Sequence, residues 1–476
     1  MLLIGPVAEC MTGDMRAEAQ NPSAGVWNPS RNAVAAALRG GIAYNQSAMK
    51  RPGRRRFLTT ALGGAAVSAT FCSKPSSGQR PPNVLLLVAD GLGPGNQSSY
   101  GEQQVRTPRL DELASQGMRF TQAYSGCCLP VPSRCVLLTG LNMGHASIRS
   151  NAGGVPLLLE DITLAEMLMP RGYVSGCFGK WGLGEAGTEG VPWEQGFEEF
   201  FGYLNEADAS SLYPPQLYDN GEEWPVPGNE SGGRAGFAPD LIAGRALDFL
   251  RRHEGGPFFC YVSFPLPQAD LPTPEAAILR LDQDVGLLLD LLGELDIESE
   301  TLVIFTAARG AGGFPGYPGG LYEAGIRVPL IARWPGRIES ASQSGFPVVS
   351  YDFLPTLAEL AELDRPAYAD GVSLVPTLTG RGRQEQHPFL YWEVPAQDAE
   401  TGEFIGVTPM QAVLVGDWKA VRPAAGAELE LYNLASDPTE STNVIGQHPE
   451  VAAEMVDLLK RTRYDPRPNT QTSSAG

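Results

Sequence analysis

Val84 to Val88 is an unbroken apolar run of strand length that stops at Asp90-Gly91-Leu92-Gly93. A strand with no polar residue on either face has nothing to offer water, so it belongs inside a sheet covered by helices on both sides. Similar runs occur at Tyr173 to Phe178, Phe258 to Phe264 and Leu302 to Phe305, separated by helical stretches such as Ala276 to Leu295. Thr107-Pro108 offers an N-cap and a first-turn proline for a helix with Leu110, Leu113, Ala114 and Met118 on one face. The expected fold is α/β, a large and mostly parallel sheet flanked by helices.

In open sheets of this kind, ligands bind outside the carboxyl ends of the strands. The loops at Asp90, Gly179-Lys180, Pro265 to Gln268 and Thr306 to Gly310 are therefore expected to face one crevice. After about residue 375 the runs shorten and alternate, at Phe389 to Val394, Gln411 to Val415, Trp418 to Val421 and Glu430 to Leu434, before a helix from Pro449 to Arg463. This predicts an α/β domain over 81–375 and a smaller antiparallel sheet with a C-terminal helix over 376–470. There is no internal repeat, and the Gly/Pro-rich, acidic segment from Asn205 to Phe237 receives no assignment.

The front of the chain reads as an address. Arg54, Arg55, Arg56, Phe57 and Leu58 followed by the small apolar run Ala61 to Phe71 resemble a twin-arginine export signal. The run is too short to span a bilayer, so no transmembrane helix is expected in a mature protein that is periplasmic or extracellular. Met49 stands directly before this signal and is the expected start. Residues 1–48 are then untranslated or disordered, and 49–80 form the signal and linker. Cys72 is a candidate lipid-attachment residue, although Phe71 suits such a site poorly.

Ten of the 35 Lys+Arg and three of the 54 Asp+Glu lie in residues 1–80, so the chain's net charge of −19 becomes −26 for the remainder. An acidic body of this kind lacks the basic footprint of a nucleic-acid binder. Four histidines and no Cys-x-x-Cys pair argue against a multi-histidine metal centre, a zinc ribbon or a thioredoxin-like motif.

The chain resembles the sulfatase family of the alkaline-phosphatase-like superfamily, arylsulfatases included. The resemblance rests on Pro82-Asn83-Val84 through Ala89-Asp90, Thr107-Pro108-Arg109-Leu110-Asp111, Pro132-Ser133-Arg134 with Leu137-Leu138-Thr139-Gly140, Gly179-Lys180-Trp181 and Gln195-Gly196-Phe197. It continues through Leu321 to Pro329, Gly416-Asp417-Trp418-Lys419 and Glu430 to Leu434, so that it covers nearly all of the chain from residue 82 to about 460. It implies hydrolysis of sulfate esters by a formylglycine. That residue is made from a Cys or Ser two positions before Pro-Ser-Arg and is held on calcium by carboxylates and an amide.

The residues at those positions depart from the pattern. The nucleophile position is Pro130, which has no side-chain oxygen or sulfur to convert. Of four expected calcium ligands Asp90 remains as a remnant, the other positions reading Gly91, Ala308 and Arg309. Gln268 stands where the family has a His, Pro318 where it has a Lys, and Gly182 where a His is frequent. Calcium is the family's cofactor, but one carboxylate cannot hold an ion that takes six to eight oxygens, and no cofactor is expected.

Ser133, Arg134 and Lys180 are retained. Arg134, Lys180, Gln268 and Arg309 are the candidate substrate-binding residues, because guanidinium and ammonium donors suit a sulfate without a metal. Arg309 is expected to pair with Asp90 in place of the ion. Ser133 and His145 are the weak catalytic candidates; His253, His387 and His448 read as surface or capping residues. Cys127 and Cys128 read as small hydrophobes or a disulfide.

Two functions follow. The first is a catalytically degenerate sulfatase that binds a sulfated saccharide, another anionic ligand or a protein partner. The alternative is an active sulfuric ester hydrolase using Ser133, Thr306 or Cys128.

Overall fold

The computed structural model describes residues 80–101, 105–151, 155–265, 270–310, 320–396 and 408–463. The readings of the export signal, of Met49 and of Cys72 lie outside these residues, as do Gln268 and Pro318.

The first strand, β1 (Asn83–Ala89), is buried along its whole length, as its apolar run requires. It pairs in parallel with β8 (Phe258–Phe264) on one side and β9 (Thr301–Ala307) on the other. Beyond β8 come β4 (Val174–Lys180) and β5 (Glu199–Tyr203), both parallel. These five strands make the parallel centre.

The rest of this ten-stranded sheet is β2 (Met118–Phe120), β6 (Gln216–Asp219), β7 (Glu222–Pro225), β10 (Leu330–Arg333) and β11 (Ser342–Ser344), in the order β11-β2-β10-β9-β1-β8-β4-β5-β6-β7. Strand β10 runs antiparallel to β9, and β6 antiparallel to β5. The short strands β3 (Ala123–Tyr124) and β12 (Val348–Val349) pair separately.

Three sequence readings change. The unassigned segment from Asn205 contains the β6–β7 hairpin, which extends the sheet. Met118 does not share the face of its preceding helix α1 (Pro108–Ser115) but opens β2. Nor does Thr107 cap that helix with its side chain; its Oγ1 accepts from the Ser98 backbone N–H instead, at 3.1 Å.

The helix α2 (Pro130–Thr139) follows Leu129 as N-cap, and Pro130 at its first position fits because no intrahelical bond is asked of that residue's nitrogen. Every residue from Val131 to Thr139 is buried, as in a helix embedded in a core. Helices α3 (Ala238–His253) and α4 (Pro274–Glu294) are amphipathic.

Strands β13 (Leu390–Val394), β14 (Met410–Val415), β15 (Trp418–Arg422) and β16 (Glu430–Asn433) form a separate antiparallel sheet in chain order. Met455, Leu458 and Leu459 of the helix α5 (Pro449–Arg461) cluster with Val413, Ala420 and Leu431 of that sheet. This sheet is tied to the main body by Lys419, whose buried Nζ lies 2.9 Å from both Glu323 and Glu440. Among the described residues no helix is long and apolar enough to cross a membrane.

Candidate active site

Asp90 follows β1, Lys180 ends β4, Arg134 lies in the early turns of α2, and Glu206 follows β5 by three residues. The sheet and α2 bring these four side chains into one cluster. Lys180 Nζ lies 3.0 Å from Asp90 Oδ2 and 2.6 Å from Glu206 Oε2. Arg134 Nη1 lies 3.3 Å from Asp90 Oδ1, Nη2 pairs with Glu206 Oε1, and Nε donates to the Trp181 carbonyl at 2.7 Å. Two carboxylates and two cations thus neutralise one another in a mostly buried site.

Burial pushes the Asp90 carboxyl upward, but the charges of Lys180 and Arg134 overcome it and hold the group below the usual carboxylate range; Arg309 adds a smaller share. The expected Asp90–Arg309 pair is not formed. Asp90 is paired by Arg134 and Lys180, and Arg309 makes no ion pair among the described residues. Its guanidinium lies instead over Gly91, where a β-carbon would fall 2.9 Å from Cζ. The physical reason is competition: two cations already occupy both oxygens of the one carboxylate.

Pro130, which the resemblance puts at the nucleophile position, stands in the first turn of α2. Ser133 Oγ is buried without a hydrogen-bond partner among the described residues, and Thr306 is buried in β9. Ala308 is buried and contributes no side-chain oxygen. All five described cysteines are free, so Cys127 and Cys128 form no disulfide. A hydrogen bond from Cys127 holds the half-buried Cys128 thiol below its ordinary range, and Arg309 adds to this. Among the described residues, no group of three or more His, Cys, Asp or Glu is placed to hold a metal.

His145 belongs to another place. Its Nδ1 is 2.8 Å from Asp370 Oδ2, and it lines a groove of about 640 Å³ with Thr139, Arg149, Asp161 and Tyr368. That groove is at the C-terminal end of α2, roughly 15 Å of helix away from Pro130. His253 and His387 pair with Glu199 and Asp352 at 3.0 Å each, and His448 precedes α5. Glu323 and Arg327, on a shared family segment, lie 3.4 Å apart.

Glu206 was not among the candidates from sequence. The available signal was positional: Phe200 to Leu204 is another apolar run, and Asn205-Glu206 is where it ends.

A family model described as Sulfatase matches residues 82–363, more than half of the chain. This protein belongs to the sulfatase family. A second model, N-sulphoglucosamine sulphohydrolase, C-terminal, matches residues 320–465. Arylsulfatase A of Homo sapiens is 34% identical over 455 residues, with 80% of this chain and 87% of the relative covered. The N-acetylgalactosamine-6-O-sulfatase of Bacteroides thetaiotaomicron is 27% identical over 478 residues, with 80% and 93% covered. A protein solved in complex with its substrate D-glucosamine-2-N,6-O-disulfate shares the fold at a TM-score of 0.68 and 20% identity, over 83% of this sulfatase-family chain and 100% of that one.

Proposed function

We propose that this sulfatase-family protein is catalytically degenerate and uses its crevice to bind a sulfated saccharide or a similar anion without a metal. The observation that carries the reading is the contact of both Lys180 and Arg134 with Asp90. Calcium wants six to eight oxygens. Here the Asp90 carboxylate is bonded to two cations, Gly91 and Ala308 supply no side-chain oxygen, and the charge of Arg309 opposes a divalent ion. These residues do not fit calcium.

Pro130 supports the same reading, because a proline offers no atom from which a formylglycine could be made. Electrostatic stabilisation of the transition state is usually the largest catalytic contribution, and the ion that would supply it has no seat here. Arg309, without an ion pair among the described residues, adds a third cation to Arg134 and Lys180 for a ligand's sulfate. The saccharide class follows the relative named as an N-acetylgalactosamine-6-O-sulfatase. Export by a twin-arginine signal and the division into 81–375 and 376–470 belong to the same proposal.

Thermal unfolding in calcium, in chelator and in N-acetylgalactosamine-6-sulfate tests this. The expected result is a midpoint indifferent to calcium and raised by the sulfated sugar, with the rise reduced in Arg309→Ala. A midpoint that calcium raises contradicts the proposal. The alternative of an active hydrolase draws on Cys128, whose lowered thiol is the only perturbation among the described cysteines that favours a thiolate.

A further inference from the structure

Arg134 and Lys180 are nearly inaccessible, with side-chain exposures of 0% and 6%, whereas Glu206 is the most open member of their cluster at 28%. Its carboxylate bridges the two cations, one oxygen on Arg134 Nη2 and the other on Lys180 Nζ. Two oxygens of one anion spread over a guanidinium and an ammonium is how these donors would take two oxygens of a sulfate group.

We propose that Glu206 is an internal anion that fills the sulfate seat of Arg134 and Lys180, so that an incoming anionic ligand must displace it. This rests on the reading of the crevice as an anion site and adds what regulates entry to it.

The backbone delivers Glu206 to that place. Strands β4 and β5 pair with Lys180 beside Tyr203, and the pairing continues past the sheet: Trp181 N–H donates to the Tyr203 carbonyl at 3.0 Å and Gly182 N–H to the Leu204 carbonyl at 2.9 Å. Glu206 therefore starts two residues beyond a fixed point. Gly182 clears the space it enters. With φ at +80°, a β-carbon at 182 would fall 2.6 Å from Arg134 Nη2 and 3.2 Å from Glu206 Oε1. A side chain at 182 would press on the Arg134–Glu206 pair, so one of its members would have to shift.

A tethered carboxylate competes at a high effective concentration, as any intramolecular ligand does. A weakly anionic group will not replace it. With Glu206 displaced, Arg134 and Lys180 face only Asp90 and carry a surplus positive charge that a sulfate neutralises.

Calorimetric titration of inorganic sulfate, at constant ionic strength in chloride, into the full-length wild type, Glu206→Gln and Glu206→Asp tests the proposal. Glu206→Gln keeps the shape and removes the charge; it should bind sulfate at least tenfold more tightly than wild type. Glu206→Asp, too short to bridge both cations, should fall between them and keeps the test available if the Gln variant does not fold. Equal or weaker binding by both variants alongside measurable wild-type binding would leave the anion site standing and overturn the internal-anion proposal. No sulfate binding by wild type or either variant would overturn both.

Discussion

The guanidinium of Arg309 occupies the space beside Gly91 into which an aspartate side chain would extend, with Cζ 2.9 Å from the position of a β-carbon there. The two residues are therefore complementary in volume: no side chain is present at 91, and the Arg309 guanidinium lies in that space. On the proposed reading, positions that would gather oxygens around an ion carry instead a missing side chain and a cation lying over the gap. The same holds at Gly182, whose missing side chain leaves room for the Arg134–Glu206 pair. Asp90, Arg134, Lys180 and Glu206 form one ion-pair cluster.

Asp90→Asn leaves Arg134 and Lys180 with Glu206 alone. The expected cost is roughly 2 kcal/mol, the scale of a charge-assisted hydrogen bond lost from a mostly buried site. It is measured by urea unfolding at neutral pH. Because the folded-state pKa of Asp90 is depressed, its contribution is fully present above the unfolded value of about 3.9 and is lost as pH falls through the folded one. The stability gap between wild type and Asp90→Asn should thus close on acidification below about pH 4. A gap that is constant from pH 7 to 3 contradicts the pairing.

Cys128 is half-buried and its thiol is lowered by Cys127, whereas burial pushes Cys135 up to about 12 and raises Cys177 and Cys260 well above the ordinary range. The thiolate is the reactive form. Brief exposure of the folded protein to iodoacetamide near pH 7.5, read by peptide mass spectrometry, should modify Cys128 at least about tenfold faster than these three. Comparable rates for all four would show that Cys128 has no special environment and would remove it as a nucleophile candidate.

Lys419→Met strands the buried carboxylates of Glu323 and Glu440 at the join between β15 and the main body. Removing one partner of such a buried set costs about 3–5 kcal/mol. Denaturant unfolding should show this loss, and limited proteolysis should release the region after residue 408 earlier than in wild type. A loss under about 1 kcal/mol would mean that the apolar contacts alone hold the join.

The sequence made four of the five central parallel strands legible, because β1, β4, β8 and β9 are buried on both faces and read as apolar runs. The alternating runs of β13 to β16 were equally plain. Edge elements were not: β6 and β7 carry Gln216, Asp219, Glu222 and Glu223, since a strand beside water needs few apolar residues. In the site, Asp90, Arg134 and Lys180 stood at legible strand or motif ends. Glu206 did not, because its role depends on the β4–β5 register and on the empty space at Gly182, neither of which a linear pattern encodes. Arg309 was legible as a position but not as a contact, since its competitors for Asp90 lie 175 and 129 residues earlier in the chain.

The most direct measurement is turnover of a chromogenic aryl sulfate and an aryl phosphate by the purified protein, with and without added calcium. If Pro130 holds the nucleophile position, as proposed, a crevice with two cations on Asp90 should give no turnover above the buffer rate in any of the four conditions. Calcium-dependent hydrolysis that is abolished by Ser133→Ala or Arg309→Ala would contradict the account.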